Sequence, residues 1–460
     1  DKTENQEKLT LKRLENLNDV INDNDRLNEA NFATETDEDL AVKDAFLVFR
    51  AMCKLSIKSL DSATIDMKSH SVRSKLLSLH IVHTILKDHI DIFLSHDVII
   101  LSSNTNEHVR MVNAVRQYIN LALSKNAASA LAPVFELSLE IFWLIISNLR
   151  AEFKREIPVF WDEIYFPVAE MKTSSAHQKR YLLSIIERLC NDSRCIIEFY
   201  LNYDCDSNMP NICEKLIDYL TKLSLQRVEV TPQQKYAYRE NRRNGISVYD
   251  INKISNLTSK TMSSRPPEPE IYSQFPLEYA LKMTSIGCAV AFLRSLYSWA
   301  QRGLTNANSK QFTIDNNNKS LSSLRNRSDS TNTSISASRN HSFVNGDSLT
   351  DSDNPQQFEN QKQRKKAFLE GVRQFNQKAK KGLRYFIDNG FIAADDPKDI
   401  AKFLLTTDGL DKATIGEYLG EGDEKNIAIM HAFVDEMEFE ETGFVDAMRR
   451  FLQSFRLPGE

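Results

Sequence analysis

Apolar residues recur at intervals of three and four over most of the chain, and polar stretches divide the pattern into blocks. Phe135, Leu139, Phe142, Trp143, Ile146 and Leu149 show the period: at i, i+4, i+7, i+8, i+11 and i+14 they share one helix face. Runs of this kind continue from about Leu40 to Leu225 and predict a helical domain over residues 39–230. Residues 1–38 before it are heavily charged, with Leu9, Leu11, Leu14 and Leu17 scattered among polar groups, and read as an arm or linker. Residues 231–275 turn polar and end in Arg265-Pro266-Pro267-Glu268-Pro269. Each proline there removes a donor and restrains the residue before it, so a long surface loop is expected. The helical period returns over 276–304, with Leu281, Ile286, Val290, Leu293, Leu296, Tyr297 and Ala300 as expected buried positions and Gly303 as a stop.

Residues 305–357 are dominated by Asn and Ser, too poor in apolar groups to offset the entropy of ordering, and are expected to be a disordered linker. A last helical region covers 358–460. Asp396 before Pro397, with Asp399 following, marks a helix start, while Gly371, Gly382 and Gly390 fall near breaks or close packing points. With only 13 Gly and 12 Pro in 460 residues, a turn-rich β architecture is disfavoured. The fold class expected is all-α. Short connectors and the absence of a fixed-period repeat suit an α-solenoid and a compact bundle alike, the solenoid being preferred.

The net charge of −5 is small, and Lys/Arg and Asp/Glu are interspersed along the chain, so charge selects neither nucleic acid nor an anionic membrane. The most apolar stretch, Leu137 to Leu149, is interrupted by Glu140 and leaves nine uncharged residues in a row. A membrane span needs ~20. The opening DKTENQEKLTLKRLENLND has no initiator Met and no apolar signal core, as expected of an internal boundary. Six cysteines, none in a C-x-x-C pair, read as reduced thiols of an intracellular protein. Cys190 and Cys195 match no ligand spacing. His80 and His83 are three apart, with His89 and His96 beyond, but no third and fourth ligand converge, so no metal is expected. No phosphate-binding loop, nucleophile elbow or H-E-x-x-H occurs, which leaves a self-contained hydrolase or NTPase without support.

Two short stretches carry more. Asn202-Tyr203-Asp204-Cys205-Asp206 lies between helical runs. By its residues alone it is a turn whose last acid or Ser207 caps the next helix; the alternative is a recognition patch offering two carboxylates to a neighbouring domain. Phe455-Arg456-Leu457-Pro458-Gly459-Glu460 follows a helix expected to turn Phe444, Ala447, Met448, Phe451, Leu452 and Phe455 inward. Physics alone makes it a Pro-Gly turn ending that helix.

Together, however, FRLPGE resembles the start of the signature motif of the Sec-seven catalytic domain, and NYDCD resembles the "homology upstream of Sec-seven" (HUS) box of the large Arf guanine-nucleotide exchange factors. DAFLVFRAMCKLS (Asp44 to Ser56) is similar to the opening of the upstream domain, FWDEIYFPVAEM (Phe160 to Met171) to its middle, and DNPQQFENQKQRKKAFLEGVRQFNQKAKKGLRYFIDNGFI to the entry of the catalytic domain. Order and motifs resemble the Sec-seven/BIG class, closest to its trans-Golgi branch, and the Asn/Ser-rich insertions resemble a fungal version.

The resemblance implies a HUS-like regulatory domain over 39–230, with 276–304 returning to it, and the first half of the exchange domain over 358–460. It implies that Glu460 is a finger that enters the nucleotide site of an Arf GTPase, displaces Mg²⁺ and opposes the β-phosphate, so that GDP leaves and vesicle-coat recruitment at the Golgi begins. Arg456, Leu457, Pro458 and Gly459 would position it, and Asn202, Tyr203, Asp204, Cys205 and Asp206 would contact another domain. No covalent step and no cofactor of its own are implied, since GDP, GTP and Mg²⁺ belong to the partner GTPase. Further implied partners are regulatory Arf-like and Rab GTPases, an N-terminal dimerisation domain giving a homodimer, and the Golgi membrane, bound peripherally from the cytoplasm; nucleic acid is not among them. The family continues past the glutamate with an AQKIDR-like segment and more helices, and the dimerisation domain is not recognisable here. This segment alone is therefore expected to be inactive, and its alternative role is a non-catalytic helical scaffold.

Overall fold

A computed structural model describes residues 37–59, 69–101, 108–243, 274–317, 355–393, 396–437, 439 and 442–457. They are helical almost throughout; the described strands are a short antiparallel pair, β1 (Ile99–Leu101) and β2 (His108–Arg110). Two compact units emerge, one carried by Asp1–Asp204 and Asn208–Asn354 and one by Pro355–Glu460 together with Cys205–Ser207.

The first unit begins with α1 (Asp37–Ser56), α2 (His70–Asp88), α3 (Ile90–Leu94), α4 (Met111–Asn126) and α5 (Ala132–Asn148). Next come α6 (Glu156–Phe160), a π turn (Trp161–Tyr165) and α7 (Phe166–Glu170), then α8 (Ala176–Asn191), α9 (Ser193–Phe199) and a second π turn (Tyr200–Asp204). It closes with α10 (Ile212–Leu225), α11 (Pro232–Arg243) and α12 (Leu277–Asn317). Packing passes from layer to layer: α1 on α2 and α4, α2 on α5, α5 on α8, and α8, α9 and α10 on α12. That is a solenoid-like stack. Side-chain caps set several starts: Ser69 accepts from Val72 N–H, Ser175 and Gln178 form a reciprocal capping box, and Asp192 accepts from Cys195 N–H.

The face anticipated on α5 is there, with Phe135, Leu139, Phe142, Ile146 and Leu149 buried. Trp143 is half-buried, its ring 5.2 Å from the Arg188 guanidinium carbon. Two expectations need correction. The polar span 231–275 contains a helix, α11, docked through Tyr238 on Phe275 and Tyr279 at 5.4 Å between ring centroids in each case. Polar composition concealed it, because few of its residues need burial for the helix to dock. Helix α12 passes through Gly303 and runs to Asn317. Its buried side is Leu281, Ser285, Cys288, Phe292 and Ser295, whereas Ile286, Val290, Leu293 and Tyr297 are exposed. Apolar residues occupy two adjoining stripes of this helix, and periodicity could not say which would meet the stack. The proline-containing part of the expected loop, within residues 244–273, lies outside the described residues, as do the arm 1–36 and most of the Asn/Ser-rich stretch, 318–354.

The second unit comprises α13 (Pro355–Gln377), α14 (Ala379–Asp388), α15 (Pro397–Thr406), α16 (Lys412–Leu419), α17 (Glu424–Asp435) and α18 (Phe444–Ser454). Phe375, Leu383, Phe386, Ile400, Leu404, Ile415, Tyr418, Ile429 and Phe433 form its core. Helices α13 and α14 make a close hairpin. A Cβ on Gly382 would meet the Phe375 backbone at 2.3 Å, and one on Gly371 the Phe386 ring at 2.4 Å, so only glycine allows this approach. Gly390 follows with φ +69°. Asp396 caps α15 through Lys398 N–H, with Pro397 in the first turn.

Candidate functional site

The imidazoles of His80 and His83 lie 6.4 Å apart, centroid to centroid, on α2. Burial holds the pKa of His83 below its ordinary value, which favours the neutral ring. Among the described residues no group of three or more His, Cys, Asp or Glu could hold a metal ion. The six cysteines are buried and free, and burial pushes the Cys53 thiol up to about 12, away from thiolate reactivity. No described helix is long and apolar enough to cross a membrane.

The stretch 202–206 straddles the second π turn. Asn202, Tyr203, Asp204 and Cys205 are buried and Asp206 half-buried. The Asp204 carboxylate accepts from Cys213 N–H at 2.9 Å and from Glu214 N–H at 3.0 Å. These are orphan donors of the first turn of α10, where the helix dipole also favours an anion. The cap is thus Asp204, reaching across nine residues, and not the last acid or Ser207. Asn202 Nδ2 donates to the Glu198 carbonyl at 2.9 Å, and the Tyr203 ring meets Phe199 edge-on at 5.1 Å. Burial raises the Tyr203 phenol pKa well above its ordinary value.

The first unit also holds buried ion pairs that sequence reading did not single out. Glu140, which had served only to interrupt an apolar run, is 2% exposed. It accepts from Arg188 Nη1 at 3.0 Å and from the Tyr181 hydroxyl at 2.6 Å, and also pairs with Arg188 Nη2. Glu198, equally buried, pairs with Arg150 and with Arg194. An acid in the middle of an apolar helix face was the available signal, because such a group needs a buried partner.

At the other candidate stretch the inward face predicted for α18 is only half correct. Phe451 and Phe455 pack on the second core, and Ala447 is half-buried. Phe444 is 80% exposed, and Met448 and Leu452 are exposed as well, with Val445 beside them. Phe455 leaves the helix in extended conformation, at φ −150° and ψ 172°. Its ring meets Phe451 at 5.1 Å and Phe433 at 5.9 Å. Arg456 N–H donates to the Lys412 carbonyl at 3.0 Å, and the Lys412 ammonium donates to the Gln453 carbonyl. Leu457 is exposed. Pro458, Gly459 and Glu460 lie outside the described residues.

Comparison with known proteins matches residues 41–212 to the HUS domain of Mon2/Sec7/BIG1-like proteins and residues 364–460 to the Sec7 domain. The ADP-ribosylation factor guanine nucleotide-exchange factor SEC7 of Saccharomyces cerevisiae is 50% identical, over 98% of this chain and 23% of that protein. The exchange factor sec71 of Schizosaccharomyces pombe is 40% identical, over 94% of this chain and 24% of its own length. Human brefeldin A-inhibited guanine nucleotide-exchange protein 1 is 34% identical, over 91% of this chain and 20% of its own. The chain therefore spans 20–24% of the length of these relatives.

Proposed function

We propose, from the HUS and Sec7 domains that the chain matches, that it belongs to the Sec7/BIG class and acts within an Arf guanine-nucleotide exchange factor, with Glu460 as the exchange finger. The observation that carries the proposal is the end of α18. Extended backbone at Phe455 and the Arg456–Lys412 hydrogen bond turn the chain away from its helix immediately before Leu-Pro-Gly-Glu, beside an apolar face left open. A carboxylate delivered there has a direct physical action on a GTPase. Mg²⁺ neutralises the nucleotide's phosphates. Replacing it by a carboxylate at ~4 Å from the β-phosphate exchanges attraction for repulsion, worth ~4 kcal/mol at an effective dielectric near 20. That is about a thousandfold in nucleotide affinity. No bond is made or broken. Arg456 and Leu457, with Pro458 and Gly459, hold the finger's approach.

A peripheral membrane partner at the Golgi, with the protein in the cytoplasm, suits the charge distribution of the second unit. Residues 355–388, the α13–α14 hairpin, carry nine Lys/Arg against three Asp/Glu, whereas 389–460 carry seven against sixteen. The interspersed charge of the whole chain conceals this polarity, which favours presenting the hairpin to anionic headgroups. The first unit, extending into α11 and α12, acts in the same reading as a regulatory scaffold for Arf-like and Rab GTPases and for an N-terminal dimerisation domain. Asn202 to Asp206 are its proposed contact with that domain.

The test is GDP release from an Arf GTPase by the full-length protein and its Glu460→Lys variant. Release should be abolished in the variant while binding to the nucleotide-bound GTPase stays or tightens, because an ammonium attracts the β-phosphate that a carboxylate repels. Wild-type release by the variant would return FRLPG to a helix-ending turn.

A further inference from the structure

Arg456 is held by its backbone. Its N–H donates to the carbonyl of Lys412 in the first turn of α16, and its carbonyl oxygen lies against Gly416. A Cβ built on Gly416 would stand 1.7 Å from that oxygen and 2.9 Å from the carbonyl carbon, distances real Cβ atoms essentially never show. Lys412 and Gly416 are four residues apart, hence one above the other on the same helix face. A strip of α16 one turn long therefore receives both polar ends of Arg456. The Lys412 side chain ties down the other side of the turn, donating to Gln453 among the last carbonyls of α18, which lack partners within the helix. The strip is itself anchored. Asp411 caps α16 through Thr414 N–H at 3.0 Å, and its own N–H donates to Asn376 Oδ1 of α13 at 2.8 Å.

Glycine within a helix ordinarily weakens it relative to alanine. Gly416 has no left-handed φ that would require glycine, so the close approach of the Arg456 backbone is what accounts for it. We propose that Lys412 and Gly416 are positioning residues for nucleotide exchange: they form a seat on α16 that sets where the chain leaves α18, and so where Glu460, four residues beyond Arg456, meets the nucleotide. The inference rests on the finger reading above. It adds two residues outside the FRLPGE motif that act through the loop and touch no substrate.

The experiment measures GDP release from an Arf GTPase, over a range of GTPase concentrations, by full-length wild type, Gly416→Ala, Lys412→Met, Lys412→Arg, Gly422→Ala and Glu460→Lys. Gly416→Ala should slow release at saturation by on the order of tenfold to a hundredfold, the effect of an ångström-scale misplacement, with half-saturation unchanged. Lys412→Met should give a smaller loss of the same kind, and Lys412→Arg, which keeps a donor, should recover part of it. Gly422→Ala, where a Cβ meets nothing within 4 Å, should match wild type. Lys412 is exposed, so its variants decide the matter if the Gly416→Ala protein fails to fold. Wild-type release by both Gly416→Ala and Lys412→Met beside an inactive Glu460→Lys overturns the seat and leaves the finger standing. Half-saturation rising in step with the loss of rate also overturns it, since that marks a damaged GTPase-binding surface and not a misplaced finger. Because an unfolded fraction lowers the rate at unchanged half-saturation, rates are taken per folded protein, and the exposed Lys412 variants must show the same kind of loss with an unchanged melting temperature. Active Glu460→Lys overturns both readings.

Discussion

The two units place their charges in opposite ways. In the first, Glu140 and Glu198 are carried into the core and matched there by Arg188, Tyr181, Arg150 and Arg194, and Asp204 is committed to the start of α10. In the second, Arg373–Glu370, Lys380–Glu421, Lys380–Asp423 and Arg449–Asp446 all lie at the surface, every partner at least 37% exposed. Its core is apolar apart from the buried Lys365 and Asn426, the latter donating to the Tyr418 carbonyl, and its unsettled feature is the open face of α18. Desolvated pairs are poor sources of stability but severe penalties against wrong packing, since a buried charge without its partner costs several kcal/mol. The difference assigns the two units different sensitivities: the stack is specified by a few polar contacts between layers, and the second unit by shape.

Glu140→Ala should break that contrast most strongly. It strands the Arg188 guanidinium and the Tyr181 hydroxyl between α5 and α8, at a cost of about 3–5 kcal/mol. Chemical denaturation of the first unit reads it, and a loss below about 1 kcal/mol would put Glu140 with ordinary surface pairs. Asp204→Ala should come next, at about 1–2 kcal/mol for a lost helix cap. Asp204 is thus unsuited to probing the proposed domain contact. Asp206→Lys, half-buried and outside the cap, should weaken capture of the N-terminal domain in a pull-down more than it lowers the melting temperature, measured in parallel. Wild-type capture by Asp206→Lys would remove that residue from the contact. The smallest effect is expected from Lys380→Ala. The Glu421 and Asp423 carboxylates beside it raise the Lys380 pKa, largest through the hydrogen bond to Glu421, yet the group lies in solvent. Thermal melts of wild type and variant should coincide at low and high salt, and a salt-sensitive difference would show that surface pairs organise the second unit after all.

The inner face of α5 was legible because Phe135, Leu139, Phe142, Ile146 and Leu149 repeat at helical spacing and the helix has one apolar side buried. Helix α12 was not, because it is apolar on two adjoining stripes and only the position of α8, α9 and α10 chose between them. The same ambiguity misplaced Phe444, Met448 and Leu452 on α18. Helix α11 was missed for the opposite reason: a polar segment docks through one buried residue, Tyr238, helped by the Arg242–Glu187 ion pair.

At the two candidate stretches the motifs stood out as short strings, and the likeness to a family lay in those strings. By itself the sequence determined the all-helical class, the polar interruptions, the Asp396 cap before Pro397 and the FRLPGE and NYDCD motifs, because each depends on neighbours within a few residues. The tertiary structure alone decided that Asp204 caps a helix nine residues on, that Glu140 finds Arg188 forty-eight residues away, and that Gly416 lies under Arg456. Those contacts join residues far apart in the chain, and the free energy of a buried polar group or a missing Cβ is set by whatever atom packing brings against it.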